Sequence, residues 1–237
     1  MIRINAISGP RNISTAVMYS FAQRPDATVL DEPFYGCYLK QTGIVHPGRD
    51  EVMESLPQSE DQVRRRLRDP WPTDVLFIKN MAHHMALVDQ SFVEEVVNIF
   101  LVRDPRQILA SYADVIQRPT LGDIGIEYQH MLFQKLATEG RHPVVLDAGS
   151  LLSDPQSILK QLCDRLGIQF FPQMLRWEAG PKPYDGVWAP YWYANVHRST
   201  GFERQPSSNR TLPAHLEGLN KIAQDYYRAL VPFSLQP

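Results

Sequence analysis

Five short runs of mostly apolar residues recur along the chain: IRINAI (2–7), ATVLDE (27–32), DVLFIKN (74–80), VVNIFLVR (96–103) and PVVLDA (143–148). Several are apolar almost throughout rather than alternating, the pattern of strands covered on both faces of a parallel sheet. Amphipathic stretches at 14–24, 59–69, 104–117, 123–139 and 151–166 lie between them and read as helices. The alternation predicts an α/β fold with a central parallel β-sheet of about five strands flanked by helices. Two helix starts are marked by an N-cap residue followed by proline, at Asp104-Pro105 and at Ser153-Asp154-Pro155. From 167 to 213 the pattern gives way to Pro- and Trp-rich sequence (FFPQ, WEAGPKPYDGVWAPYWY). Its aromatic content predicts a long ordered loop, since disordered linkers are poor in aromatics. A C-terminal helix, LNKIAQDYYRAL, closes the chain.

Length and composition narrow this picture. At 237 residues the expectation is a single domain, 1–237, and 43% hydrophobic with 21% charged residues excludes disordered and fibrous classes. A formal net charge of -2 argues against a generic nucleic-acid partner, so any anion site must be local. The two cysteines, Cys37 and Cys163, lie far apart without metal-ligand spacing and read as reduced thiols. No apolar run reaches the roughly 18–20 residues of a membrane span, and the N-terminus enters a strand pattern at once. A soluble, cytoplasmic protein with no membrane partner is expected; the oligomeric state is not legible.

Candidate chemistry begins where the first strand hands over to the first helix, at ISGPRNIST (7–15). A strand, a turn and a helix N-terminus present free backbone N–H groups and the positive end of the helix dipole to an anion. Ser8-Gly9-Pro10 makes the turn, Arg11 adds fixed charge, and Ser14 and Thr15 are placed to cap the helix or donate to phosphate. The second glycine and the lysine of the Walker pattern are missing. The structural alternative is a simple N-cap. At a later strand end, LVRDPRQILAS places Arg103 at the sheet edge and Ser111 eight residues on, about two turns into the next helix. That reads as a second anion site, or as an Arg-Asp pair with a buried helical serine.

Together GPRNIST and LVRDPRQILAS resemble the sulfotransferase family that uses 3′-phosphoadenosine 5′-phosphosulfate, in its bacterial-type form. The resemblance implies the P-loop NTPase-like sulfotransferase fold. Pro10, Arg11, Ser14 and Thr15 match the 5′-phosphosulfate loop P-[KR]-[ST]-G-[ST]-[ST], and Arg103 and Ser111 match the 3′-phosphate motif. Asn12 and Ile13 stand where the family has a small hydroxyl residue and glycine, so a looser wrap of the phosphate is expected there, with Asn12 still among the nucleotide-binding residues. The co-substrate implied is 3′-phosphoadenosine 5′-phosphosulfate, with no metal expected. Arg11 would then stabilise charge growing on the leaving phosphate.

The resemblance also frames the search for a base. Glu32 ends the second strand, twenty-one residues after Arg11, close to the spacing of the catalytic glutamate in the carbohydrate and tyrosyl-protein branches; the alternative is an Arg11 partner that organises the loop. The rival base is His83 or His84, with Lys79 placed to touch the sulfuryl group, in FIKNMAHHM; this is similar to the K-x-H of the small-molecule branch, whose Lys and His act on the transferring group and acceptor, but with the histidines four and five residues on. In the late loop, Arg198, Ser199 and Thr200 resemble the family's segment over the nucleotide. Trp188, Tyr191, Trp192 and Tyr193 are candidates to line a pocket for a small-molecule or carbohydrate acceptor. The basic stretch VRRRLRD (63–69) reads as a solvated face or as a lip for an acidic acceptor. Two alternatives remain open: a P-loop kinase needing magnesium, and a non-catalytic binder of adenosine 3′,5′-bisphosphate.

Overall fold

The computed structural model describes residues 1–112, 116, 118–203 and 211–237. In chain order the elements are β1 (Ile2–Ser8), α1 (Ser14–Ala22), β2 (Ala27–Asp31), α2 (Tyr35–Thr42), α3 (Arg49–Ser55), α4 (Glu60–Arg68), β3 (Val75–Met81), α5 (Ala82–Met85) and α6 (Ser91–Glu94). There follow β4 (Val97–Val102), α7 (Pro105–Tyr112), α8 (Leu121–Ile124), α9 (Ile126–Thr138), β5 (Val144–Asp147), α10 (Ala148–Ser153), α11 (Pro155–Leu166), α12 (Ala189–Trp192) and α13 (Glu217–Leu230). All five predicted strands form one sheet, ordered β2-β3-β1-β4-β5 and parallel throughout.

The apolar runs are explained by burial on both faces. Leu76 and Ile78 of β3 and Phe100 and Val102 of β4 enter a core shared with α7, α9 and α13. Their alternates, Val75, Phe77, Ile99 and Leu101, enter a second core with α1 and α11. Full burial of each such side chain contributes about 1.5–3 kcal/mol, so both faces are needed to hold the sheet. A third, smaller cluster joins Tyr35, Tyr38 and Leu39 of α2 to Trp188, Ala189 and Tyr193. Because α1 and α7 pack on opposite faces, the chain leaves the C-terminal ends of neighbouring β1 and β4 in opposite directions. A crevice opens there, as expected at the switch point of an open parallel sheet.

Several boundaries differ from the sequence reading for local reasons. The stretch 123–139 is divided at Gly125, which takes φ 68° and ends α8 before α9 begins. The stretch 151–166 is divided at Asp154, whose carboxylate accepts from Ser157 N at 3.0 Å with Pro155 following, the cap its sequence signalled. Of the stretch 104–117, α7 accounts for Pro105–Tyr112, and residues 113–115 and 117 lie outside the described residues. Helices α2, α3, α5 and α6 were not legible: at four to eight residues they depend on packing rather than on intrinsic propensity. The Pro- and Trp-rich segment, apart from 204–210, which lie outside the described residues, is tied down by α12 and short 3₁₀ turns at Pro172–Leu175 and Val196–Arg198. Its portion 177–203 crosses the C-terminal edge of the sheet and is called the strap below. Among the described residues no helix is long and apolar enough to cross a membrane.

Candidate active site

The turn after β1 is shaped by close contact and by one side chain. A Cβ on Gly9 would collide with the carbonyl of Ile124, so only glycine lets α8 approach here. Asn12 ties the turn to β4, its Nδ2 donating to Leu101 O at 3.0 Å while its Oδ1 accepts from Ile13 N at 2.9 Å. Ile13 has an ordinary φ of -91°, and it is Arg11 that takes the left-handed conformation, at φ 53°. The Asn12-Ile13 pair is therefore accommodated by a side-chain tether to the sheet, with no glycine needed at 13. Ser14 and Thr15 are the first two residues of α1 rather than its caps; Ile13 holds the N-cap position and offers no side-chain cap. Ser14, Thr15 and Ala16 of the first turn line the cavity.

The turn after β4 interlocks with the first. Arg103 donates from a terminal nitrogen to Arg11 O at 2.9 Å and from Nε to Gln107 Oε1 at 3.1 Å. Arg11 donates from Nε to Ser111 Oγ at 2.9 Å. The two motifs are thus one site: the loop's basic residue reaches the serine of the second motif, and the arginine of the second motif braces the loop. Burial lowers the proton affinity of Arg103, and the neighbouring charge of Arg11 lowers it further. Like charges held together at a strand edge favour an anion between them.

A carboxylate cluster occupies the other end of the cavity. Lys79, on β3 and 1% exposed, donates to Asp31 Oδ1 at 2.8 Å, to Glu32 Oε1 by a short contact, and to Tyr193 OH at 2.8 Å. The Tyr193 hydroxyl donates in turn to the Asp31 carboxylate, at 2.7 Å to Oδ2, and accepts from Trp188 Nε1 at 3.1 Å. Gly186 N closes the ring with a 3.1 Å bond to Asp31 Oδ2. Glu32, just past the end of β2, has φ 42°; it and Arg11 are the two non-glycine residues with positive φ among the described residues. Such strain persists where the surroundings over-determine it, often at functional sites. Burial pushes the Glu32 carboxyl up to about 7, Lys79 pulling it down and Asp31 adding to the rise.

The rival histidines stand beside this cluster. His84 Nδ1 is 3.7 Å from Glu32 Oε2, and its ring stacks on Tyr35 with centroids 4.6 Å apart. Burial drives His83 down to about 4 and His84 well below the usual imidazole range, and His83 lowers His84 further, so both rings are neutral at pH 7. His46 bonds Tyr35 OH at 2.8 Å and continues the ring-lined wall toward Trp192.

One cavity of about 520 Å³ joins both ends. It is lined by the predicted Pro10, Arg11, Asn12, Ser14, Thr15, Glu32, Lys79, His83, His84, Arg103, Ser111, Arg198 and Ser199. Thr200 is not part of the wall: it is exposed, and its carbonyl accepts from Trp177 N at 3.1 Å. Trp188, Trp192 and Tyr193 line the cavity, whereas Tyr191 is half exposed and bonds Glu51. The basic stretch lies elsewhere. Arg3 of β1 bonds Leu67 O, which places the end of α4 at the opposite edge of the sheet, and Arg64 and Arg68 pair with Asp61, Asp89 and Glu95. The reading of that stretch as an acceptor lip is corrected to an ion-paired face.

Sequence reasoning missed Gln107, Gln129 and Asp185. Gln129 bonds Ile7 O and Leu101 O beneath the first turn. Asp185 anchors the strap through Tyr19 OH at 2.7 Å, and His197 Nε2 braces it from within the strap at 3.0 Å. No motif marked Gln129 and Asp185, because their partners lie a dozen or more residues away in sequence, whereas Gln107 bonds Arg103 from one helical turn on and could have been found by that spacing.

The family model described as Sulfotransferase domain matches residues 2–232. Among solved structures, the sulfotransferase domain of the Synechococcus PCC 7002 olefin synthase covers 96% of this chain and 94% of its own, with TM-score 0.58 and 17% identity. The mouse sulfotransferase SULT7A1 complexed with PAP covers 99% and 90%, with TM-score 0.56 and 13% identity. At these identities the likeness is one of fold, and it places the five-stranded sheet in the P-loop-like sulfotransferase architecture. Among curated proteins, Arabidopsis thaliana branched-chain-amino-acid aminotransferase-like proteins 2 and 1 are 38% and 37% identical over 212 residues, 89% of this chain. The chain spans 38% of the length of each of those relatives, so their names describe proteins that lie mostly outside the match.

Proposed function

The chain belongs to the sulfotransferase domain family, and we propose that it moves a sulfuryl group from 3′-phosphoadenosine 5′-phosphosulfate to a hydroxyl or amine of a small-molecule or carbohydrate acceptor. The observation that carries this reading is the interlock of Arg11 with Ser111 and of Arg103 with the Arg11 carbonyl, at one end of a cavity whose other end holds Glu32. The residues fit such a donor. Two guanidiniums, the three hydroxyls of Ser14, Thr15 and Ser111, and a nine-residue helix with an uncapped N-terminus supply donors to two phosphate groups.

In this scheme Arg11, Asn12, Ser14 and Thr15 hold the 5′-phosphosulfate, and Arg103 and Ser111 hold the 3′-phosphate, with Arg198 and Ser199 covering the nucleotide from the strap. Glu32 takes the acceptor's proton as the new oxygen–sulfur bond forms and the bond from sulfur to the bridging phosphate oxygen breaks. Arg11 balances the charge that grows on that oxygen, and the bisphosphate leaves. A carboxyl near pKa 7 is matched to this task at neutral pH. Tyr35, His46, Trp188 and Trp192 with the neutral histidines form the acceptor wall.

A thermal-shift comparison of adenosine 3′,5′-bisphosphate with ATP plus magnesium tests the donor. The bisphosphate should stabilise the wild-type protein by mass action and lose most of that shift in Arg103→Ala. A larger shift with ATP and magnesium, or a bisphosphate shift untouched by Arg103→Ala, overturns the assignment.

A further inference from the structure

Lys79 is the one ammonium that the sequence offered to the transferring group, and its surroundings give it different work. An ammonium has three N–H donors. All three are engaged, by Asp31, Glu32 and Tyr193, and the side chain is 2% exposed. To meet a sulfuryl oxygen it would have to abandon one of these acceptors. Two of them are carboxylates, and leaving a buried carboxylate unpaired is strongly destabilising.

The third acceptor comes from the strap. Tyr193 lies in the segment that also presents Trp188, Arg198 and Ser199 to the cavity, and its hydroxyl bonds both Asp31 and Lys79. The strap is held at a second point by Asp185, which accepts from Tyr19 OH of α1 and is braced within the strap by His197. Around the Glu32 carboxyl the facing groups are therefore Asp31 beside it, Lys79 on β3, His84 with His83 on α5, Tyr35 on α2 and Tyr193 on the strap.

We propose that Lys79 is a positioning residue and not a ligand of the sulfuryl group: with Asp31 it fixes the Glu32 carboxyl and balances its charge, and Tyr193 makes the seated strap part of that assembly. The inference rests on the sulfotransfer reading and assigns Lys79 a role within it. Burial alone would make a charged Glu32 costly, and Lys79 offsets that cost. The strap that covers the donor then also completes the surroundings of the base.

Two measurements on Lys79→Met and Tyr193→Phe test this without a known acceptor. Carbon-13 NMR follows the Glu32 carboxyl titration, assigned with Glu32→Gln. Calorimetry compares binding of 3′-phosphoadenosine 5′-phosphosulfate with that of adenosine 3′,5′-bisphosphate. Loss of Lys79 should raise the Glu32 midpoint by about 1–3 pH units while the affinity ratio of the two nucleotides stays within about twofold. Tyr193→Phe keeps the ring packing and is expected to fold even if Lys79→Met does not. With the hydroxyl gone, Asp31 draws Lys79 away from Glu32, and the midpoint should move the same way by less. A fall of about tenfold or more in the affinity ratio in Lys79→Met makes Lys79 a sulfuryl ligand and overturns the proposal. An unmoved midpoint in Tyr193→Phe overturns the strap's part in it. If the wild-type protein binds neither nucleotide, the sulfotransfer reading fails and takes this inference with it.

Discussion

At the β1/β4 end of the cavity two guanidiniums, Arg11 and Arg103, are brought side by side, whereas at the β2/β3 end the ammonium of Lys79 sits among two carboxylates and a phenol. Both ends are built at C-terminal strand edges, and both contain a residue with positive φ. Their electrostatics differ. The first end gathers like charges, and burial with the neighbouring Arg11 makes Arg103 easier to deprotonate than a solvated arginine. An anion bound there relieves that strain. The second end compensates its charges internally, and burial still lifts Glu32 to about 7. On the proposed function the difference teaches a division of labour: accumulated charge would receive a charged ligand, and compensated charge would hold the reacting group.

The comparison breaks most visibly through Glu32→Gln. The proposed base role predicts that kcat, read as bisphosphate release with a panel of phenol and monosaccharide acceptors, falls by about 10²–10⁴ while bisphosphate affinity is unchanged. In the wild-type protein the same rate should fall as pH drops below about 7, where Glu32 takes up its proton. For stability the sign is opposite. A carboxyl raised in the folded state contributes stability that is fully present below its unfolded pKa and lost as pH rises through about 7. Glu32→Gln should flatten both dependences, and a kcat profile that keeps its limb near 7 in this variant removes Glu32 from the base role.

A smaller effect isolates the cationic end. Asn12→Ala removes the tether to Leu101 O and the bond from Ile13 N, and should cost about 1–3 kcal/mol in urea unfolding. It should also weaken bisphosphate binding while leaving the Glu32 titration in place. If both ends respond equally, they are not separable. The smallest effect is expected at Arg64, whose partners Asp61 and Asp89 are exposed on the far side of the sheet. Arg64→Ala should leave the bisphosphate-induced thermal shift unchanged; a lost shift would return the basic face to the list of binding surfaces.

The chain's own pattern was enough for the sheet. Apolar runs such as VVNIFLVR can be satisfied only by cover on both faces, and the five strands predicted from them are the five observed. Local grammar was equally readable where it acts within a few residues, as at Asp154-Pro155, because an N-cap is a contact between near neighbours. The motifs GPRNIST and LVRDPRQILAS marked the two strand-to-helix turns one by one. Only the tertiary structure decided that they form a single site, since the bonds from Arg11 to Ser111 and from Arg103 to Arg11 O span about a hundred residues. It likewise decided that Lys79 faces inward to Asp31, Glu32 and Tyr193, and that Arg11 rather than residue 13 takes the left-handed conformation. Residue type and spacing encode what a side chain can do. Which partner saturates it depends on distances that only the packed sheet, helices and strap bring into being.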